Sequence, residues 1–346
     1  MKTKTLLDAL RTAAKLCGGR DLGGVSRKIH ILSKDGSTLI SSDDREAAIT
    51  VKVDGSLEGD VDAVLEPKPL IAWLSDAGED VKVKQTEAHL HLSSGRSRTK
   101  VAVIDLPWPQ RPAESYGPVW EIDAADVKRA VRLCKSASDE GIQAGCRGEE
   151  GILFSATDGR RAAYCPVSAI TDSSDDETQI LLTPSTLSLI AEASVGVIRF
   201  QFSESGVIAV SDSATITSSG LHGGRVRNLP YDGYNMIPLT PRELLPAIRQ
   251  ATCVGSEVDD VTLTFSDDSI KVSLSASGGE SEATVDIAAM FDGEITLSPV
   301  YLSEAFRAFG LDEPLELGFI SSEAPLILIK DDGENVNRYF LAPRCH

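Results

Sequence analysis

His89 and His91 stand two residues apart in an alternating stretch, so both imidazoles fall on one strand face and could supply two ligands to a metal. No third ligand accompanies them in sequence, and ordinary strand histidines are the preferred reading. Asp43-Asp44 and Asp172–Glu177 are carboxylate clusters of the kind that could hold paired metal ions. Their Ser-rich, turn-like surroundings suit exposed turn chemistry better. Gly220-Leu221-His222-Gly223-Gly224 could form an anion nest, although a hairpin loop explains it more simply. The chain carries no Walker-type glycine loop, no G-x-G-x-x-G after a strand, no H-E-x-x-H and no G-x-S-x-G elbow. With no nucleophile–base pair, no catalytic residue, metal or cofactor is expected, and binding is the default function. A catalytic protein with an unseen site is the remote alternative.

Cys17, Cys134, Cys146, Cys165, Cys253 and Cys345 lie far apart with no C-x-x-C pair. That spacing suits reduced, mostly buried thiols rather than a disulfide framework. Met1-Lys2-Thr3-Lys4 looks like a basic leader, but Asp8 and Arg11 interrupt the apolar run a signal peptide needs. Nothing approaches the roughly 18 apolar residues of a membrane span. A cytoplasmic protein without a membrane partner is expected.

The remaining candidates are cations, and their role depends on the elements that carry them. Helical apolar periodicity marks three stretches, from Leu6 to Cys17, from Val127 to Cys134 and from Leu244 to Cys253, spaced almost evenly along the chain. A second marker repeats independently. Leu65-Glu66-Pro67, Leu182-Thr183-Pro184 and Leu297-Ser298-Pro299 each close a strand-like run, and proline suits the first turn of a helix. Alternating runs such as Ala47–Val53, Val81–Lys84, Gly151–Ser155 and Val261–Phe265 fill the spaces between. The expectation is three repeats of one α+β unit, each with two helices packed on antiparallel sheet. Their boundaries are placed at 1–116, 117–236 and 237–346.

The 346 residues carry a net charge of -18, which argues against a polyanion partner if the charge is spread evenly. It is not spread evenly. The six expected helices carry a net +7 and the rest of the chain −25, which together make the -18. If the helices share a side, that side is basic and the sheet side acidic. A solvated helix face and a phosphate-contacting surface both remain open on charge alone.

Three such repeats resemble the bacterial DNA polymerase III beta subunit family, the sliding clamps, over the whole chain. The stretches that carry the resemblance are Gly18-Gly19-Arg20, Ser94-Gly95-Arg96-Ser97-Arg98, Leu106-Pro107-Trp108-Pro109 and Ala156-Thr157-Asp158-Gly159-Arg160-Arg161-Ala162. Leu229-Pro230-Tyr231-Asp232 and Tyr339-Phe340-Leu341-Ala342-Pro343-Arg344 complete them. The resemblance implies three DNA-clamp domains and a head-to-tail homodimeric ring around double-stranded DNA. It also implies a processivity subunit, not an enzyme, that binds the polymerase III alpha subunit, the clamp loader and other clamp-binding-motif proteins. A clamp-fold interaction scaffold or paralogue that does not encircle DNA is the alternative.

By position, the resemblance makes Arg20 and Lys68 DNA-facing, and helix charge adds Arg129, Arg132 and Lys135. A peptide groove would be walled by Gln143, Thr157, Gly159, Arg160, Arg161 and Ala162. Pro230, Asn235, Met236, Ser298, Tyr301, Pro325, Phe340, Ala342, Pro343 and Arg344 would complete it. Gly141 and Ile142 stand where the family places DNA-facing aromatics. Ala162 replaces a larger aliphatic, and Ala342 and Arg344 stand where methionines are frequent, so client peptides of different anchor size or weaker binding are expected.

Overall fold

The computed structural model describes residues 1–17, 24–55, 57–109, 117–148, 150–171, 178–221, 223, 226–256, 259–333 and 335–344. Its helices are α1 (Thr3–Ala13), α2 (Pro67–Ser75), α3 (Ala124–Lys135), α4 (Pro184–Ala193), α5 (Pro241–Ala251) and α6 (Pro299–Phe309). Proline opens four of the six, because its missing N–H costs nothing in the first turn. All three L-x-P markers therefore fall at strand-to-helix junctions. At α5, the Thr240 N–H also donates to the Glu243 carboxylate at 2.6 Å, supplying half of a capping box. The three helix-terminal cysteines are not equivalent. Cys134 is buried, Cys253 is exposed, and burial pushes the Cys17 thiol up to about 11; of the five described cysteines only Cys134 and Cys165 are buried, fewer than expected.

The chain divides into two compact units. The first comprises Met1–Val127, Ile170–Ser173 and Ser185–Gly220. It contains β1 (Ile29–Lys34), β2 (Ser37–Asp43), β3 (Ala47–Val53), β4 (Val61–Leu65), β5 (Lys82–Gln85), β6 (His89–Ser94), β7 (Ser97–Ala102) and β8 (Trp120–Asp123). The second comprises Lys128–Ala169, Ser174–Pro184 and Leu221–His346. It begins with β9 (Ile142–Cys146), β10 (Ile152–Thr157) and β11 (Arg161–Val167). The first unit then adds β12 (Ile170–Thr171), the second β13 (Gln179–Leu182), and the first β14 (Val197–Ser203), β15 (Gly206–Val210) and β16 (Ala214–Ser219). The rest belong to the second: β17 (Asn235–Leu239), β18 (Val261–Phe265), β19 (Ile270–Ala276), β20 (Gly279–Val285), β21 (Gly293–Leu297), β22 (Leu315–Phe319), β23 (Leu326–Asp331) and β24 (Val336–Leu341).

In the first unit a nine-stranded sheet runs β12-β8-β14-β15-β16-β3-β2-β1-β4 and a three-stranded sheet runs β5-β6-β7. Its largest fully buried side chains include Trp120, Phe200 and Phe202. In the second an eight-stranded sheet runs β13-β9-β10-β11-β24-β23-β22-β17 and a four-stranded sheet runs β20-β19-β18-β21. There Phe265 packs on Phe319 with ring centroids 5.0 Å apart, and any side chain at Gly293 would collide with Phe319. All these pairings are antiparallel, as expected of an α+β chain. The middle repeat contributes strands to both units. β16 pairs with β3 (Ile216↔Ile49) and β11 pairs with β24 (Ala162↔Phe340), so shared sheets cross the repeat boundaries.

Asp43-Asp44 forms a turn as expected but not an exposed one, since Asp43 is buried and Asp44 half-buried. Asp43 Oδ1 accepts the Arg45 N–H at 2.7 Å, and Asp44 Oδ1 accepts the Glu46 and Ala47 N–H groups at 3.1 and 2.7 Å. The 172–177 cluster lies outside the described residues, as do His222 and Gly224. His89 and His91 share a face with rings 6.1 Å apart, and among the described residues no three His, Cys, Asp or Glu form a metal-ligating group. No described helix is long and apolar enough to cross a membrane.

One expectation fails at the three-stranded sheet, whose exposed face is basic rather than acidic. Strand alternation turns Val83, Leu90, Leu92 and Val101 inward and leaves Lys82, Lys84, Arg98 and Lys100 outside. Lys84, His91 and Lys100 lie directly beside one another across the three strands. Segment charge missed this because every residue outside the helices was pooled, although residues 82–100 alone carry Lys82, Lys84, Arg96, Arg98 and Lys100 against Glu87.

Candidate functional site

The helix cations fall into two groups. Lys2 pairs with Glu79 at 2.8 Å and Asp80 at 3.2 Å, Lys15 with Glu192, and Arg242 with Asp312. Pairing takes these cations out of any attraction for a polyanion. Lys68, the second residue of α2, is exposed. Beside it, a 2.7 Å contact with Lys28 holds the Glu66 carboxyl below the usual carboxylate range, with Arg27 and Lys68 adding to the effect. Arg20 lies outside the described residues.

On α3, Val127, Ala130, Val131 and Cys134 are buried. The opposite stripe, at i, i+4 and i+7, is Lys128, Arg132 and Lys135, all exposed. Arg129 sits off that stripe and is half-buried. Helical spacing could have identified Lys128, since the stripe is fixed once the apolar positions are read. Arg132 and Lys135 line a cleft of about 420 Å³ with Ser136, Asp139, Arg161, Glu304, Arg307 and Ala308. Arg307, which closes that cleft from α6, has no signal in its neighbouring sequence.

Arg161 is a rivet rather than an exposed hook. Its side chain is 11% exposed, its Nε meets Asp158 Oδ2 at 2.9 Å, and its Nη1 meets Glu304 Oε2 at 2.5 Å. The guanidinium also lies 4.1 Å from the Tyr301 ring centroid. Burial works against its charge, but Tyr339, Asp158 and Glu304 together hold it above the ordinary arginine value. Tyr339 is buried and donates from its hydroxyl to the Ser136 carbonyl at 2.8 Å, tying β24 to the end of α3. Burial pushes that phenol up to about 12.

The Thr157-Asp158-Gly159-Arg160 turn is built to present Arg160. Asp158 Oδ1 accepts the Arg160 and Arg161 N–H groups, each at 2.8 Å, and Thr157 Oγ1 accepts the Gly159 N–H at 3.0 Å. Gly159 sits at φ +83°, where side chains other than glycine are strained. Thr157, Gly159 and Arg160 are all exposed, and the Arg160 carbonyl accepts the Ala342 N–H at 2.8 Å.

Behind this turn, Ala162 and Phe340 join Tyr164, Ile327 and Ile329 in one apolar cluster. Met236 packs on it, together with Leu153, Val226, Leu229, Tyr231, Tyr234 and Val336. Gly318 makes this possible, because a side chain there would strike Ile327, Met236 and Tyr234. Arg338 lies between the Tyr164 and Tyr231 rings, 5.2 and 4.8 Å from their centroids. Gln143 braces the covering segment, accepting the Val226 N–H at 2.7 Å while donating to Gln179 at 2.6 Å. Val226, Leu229, Tyr231 and Tyr234 were not among the expected groove residues, although Leu229 and Tyr231 belong to a stretch that carries the family resemblance. The small Ala162 opposite a Tyr-rich segment was the available signal.

The other groove candidates are more scattered. Ser298 is buried at the start of α6, and half-buried Tyr301 faces Arg161. Arg344 is tied down by Asp260 at 3.2 Å, and its N–H donates to the Thr296 carbonyl at 2.8 Å. Pro230, Asn235 and Ala342 are exposed, and Pro325 and Pro343 are half-buried. The structure thus places Ala162 and Phe340 in a buried apolar cluster with half-buried Met236 packed on it, and brings Arg161 and Tyr301 together at a second, polar site.

No family model matches the sequence. The solved structures do. The DNA polymerase III beta subunit of Pseudomonas aeruginosa bound to griselimycin superposes with a TM-score of 0.89 at 18% identity, covering 100% of this chain and 98% of that one. The beta subunit of Streptococcus pyogenes DNA polymerase gives 0.88 at 17% identity over 100% and 99%. The C. crescentus beta sliding clamp, in a crystal with polyethylene glycol bound, gives 0.86 at 18% identity over 100% and 98%. From end to end, this chain has the fold of the bacterial beta sliding clamps.

Proposed function

We propose that the protein is a DNA sliding clamp, a homodimeric ring that encircles duplex DNA and carries polymerase and repair proteins along it. The observation that carries the reading is the full-length likeness to beta clamps, covering nearly all of both chains despite low identity. On this reading the three clamp domains are 1–116, 117–236 and 237–346, with helix pairs α1/α2, α3/α4 and α5/α6. Arg20, Lys68, Arg132 and Lys135, with Lys128, face DNA phosphates. Such contacts are weak and sequence-independent, and ring closure supplies the retention. The protein itself performs no chemistry.

Two sheet edges support the dimer. β7 and β20 are proline-free outer strands, each hydrogen-bonded on one side only among the described residues. β7 exposes Arg98 and Lys100, whereas β20 exposes Glu280 and Glu282. Long bare edges are a liability that proteins normally blunt. Here each edge repels its own copy and attracts the other, which favours head-to-tail closure. The half-buried Met236, Leu229, Tyr231 and Tyr234, packed over buried Ala162 and Phe340 near exposed Thr157, Gly159 and Arg160, form the proposed groove for the polymerase alpha subunit, the clamp loader and other clients.

Sedimentation gives the oligomeric state, and loading onto nicked circular DNA tests encirclement. Retention on the circle with loss on linearisation is expected; equal departure from circular and linear DNA refutes the clamp mechanism. The second reading, a clamp-fold scaffold that does not encircle DNA, draws on the pairing of Lys2, Lys15 and Arg242 with acids. A monomer in sedimentation would select it. For the groove, Gly318→Val should displace Met236 and Tyr234 and weaken a clamp-binding peptide at least tenfold. Unchanged affinity would place the peptide elsewhere.

A further inference from the structure

Arg338 is a half-buried cation without an acid. On β24 it stands two residues from Phe340, so the two share a sheet face about 7 Å apart. Pairing with β11 sets Arg338 beside Tyr164 and Phe340 beside Ala162, which puts the arginine next to the apolar floor of the proposed groove. Its guanidinium lies between the Tyr164 and Tyr231 rings. Nη2 donates to Asn228 Oδ1 at 3.1 Å, and this neutral amide is its only hydrogen-bond partner among the described residues. Nε is buried with no acceptor, while Nη1 is also unbonded but reaches the surface. Burial lowers the Arg338 pKa below the ordinary arginine value; Tyr231 and Tyr164 oppose that shift, Arg147 adds to it, and no described carboxylate offsets it. Arg161, by contrast, is held by two carboxylates. In a chain with 52 acidic residues against 34 lysines and arginines, an unpaired arginine in this position is an open place for an anion.

We infer that Arg338 is a carboxylate subsite of the peptide groove, reading an aspartate or glutamate side chain two residues from the client's apolar anchor. This rests on the groove proposed above. Side chains at i and i+2 of an extended peptide lie about 7 Å apart on one face, the same spacing as Phe340 and Arg338. A guanidinium takes a carboxylate through two parallel N–H bonds. Here Nη1 is open, and Asn228 is exposed, so its amide can give up Nη2 to the incoming oxygen. The tyrosine rings hold the guanidinium in place beforehand, so little side-chain freedom is lost on binding. They also shield the new pair from water, where a charge-assisted hydrogen bond is stronger. The apolar floor then supplies affinity, and Arg338 selects among clients by their acid.

The test uses the full-length protein and short peptides, capped at both ends, with two leucine anchors. A single glutamate, or glutamine as its control, is moved through the other positions, and fluorescence anisotropy gives each Kd. Two residues from an anchor, the glutamate peptide should bind about fivefold tighter than its glutamine control or better, with the ratio shrinking as salt rises. Arg338→Gln should erase the ratio. Asn228→Asp should erase it too while keeping the arginine and its ring contacts, because the new carboxylate occupies Nη2 from within the protein. Gly318→Val should instead weaken both peptides by the same factor. If Gly318→Val weakens both but the native protein prefers glutamate at no position, the subsite is wrong and the groove stands. If Gly318→Val changes neither peptide yet Arg338→Gln still erases the ratio, the subsite stands and the groove does not. A glutamate preference that survives both Arg338→Gln and Asn228→Asp belongs to another cation and overturns the assignment. No binding by any peptide at millimolar concentration overturns both.

Discussion

Arg161 and the Lys84–His91–Lys100 row are two opposite ways of holding positive charge. Arg161 is nearly buried, gripped by two carboxylates and stacked on Tyr301. The row is exposed, with His91 directly between two lysines carried by the strands on either side. Desolvation makes the first cation dependent on its partners, so its removal leaves Asp158 and Glu304 uncompensated. The second group gains nothing from its own sheet and repels within it. A cation that stabilises its surroundings has a structural role, and one that burdens them points to a partner.

The sharpest break of that contrast is Arg161→Ala. Losing one member of a buried pair costs about 3–5 kcal/mol, and the 43% exposure of Glu304 sets the expectation near the lower end, about 3 kcal/mol. Chemical denaturation should show it as a lowered midpoint. A loss under about 1 kcal/mol would mean that the network is a surface pair. Tyr339, in the same network, gives the next effect through pH. Its phenol titrates near 12 in the fold against 10.0 unperturbed, so the unfolded chain releases that proton first. Stability from this group is complete below pH 10 and is lost as pH rises through 12, amounting to about 2–3 kcal/mol. Tyr339→Phe should flatten the stability profile between pH 10 and 12. An unchanged profile would place the alkaline loss in other groups.

Much of this was legible in the residues. Proline at a helix start is a local event, and the L-x-P markers located three helices from sequence alone. The Asp-Gly turn at Asp158-Gly159 is equally local, since its hydrogen bonds span only three residues. What sequence could not separate was Arg160 from Arg161. They are adjacent and chemically identical, yet Arg160 ends the exposed turn while Arg161 begins β11 and reaches Glu304, 143 positions away. Arg129 and Lys128 divide in the same way across a helix face. The pairing of β11 with β24 was not legible either, because it joins strands far apart in sequence. Charge summed as helices against everything else likewise hid the basic stretch of β5–β7, which a local count over 82–100 shows.

If the basic face has a partner in the acidic edge of a second copy, reversing its charge must dissociate the dimer. Arg98→Glu with Lys100→Glu turns two attractive cross-strand pairs into repulsive ones, worth about 2 kcal/mol in total, or about a 30-fold weaker dimer. Glu280→Lys with Glu282→Lys should do the same alone and restore dimerisation when mixed with the first variant. Sedimentation of the mixture is the decisive measurement. Two variants that remain monomeric together would break the proposed link between the edges.

The smallest effect is the most discriminating, because its sign is opposite to that of Arg161→Ala. Lys84 and Lys100 flank His91 in one row, with no carboxylate in salt-bridge reach of either among the described residues. Under dilute conditions that favour the monomer, Lys84→Gln removes like-charge repulsion while keeping a long side chain over the sheet. Stability should rise by a few tenths of a kcal/mol, about 1 °C in Tm, and more at low salt than at high. A fall of the same size would show that the lysine stem, through its packing, stabilises the sheet more than its charge burdens it. The row would then be a structural feature like Arg161, and the contrast between the two would collapse.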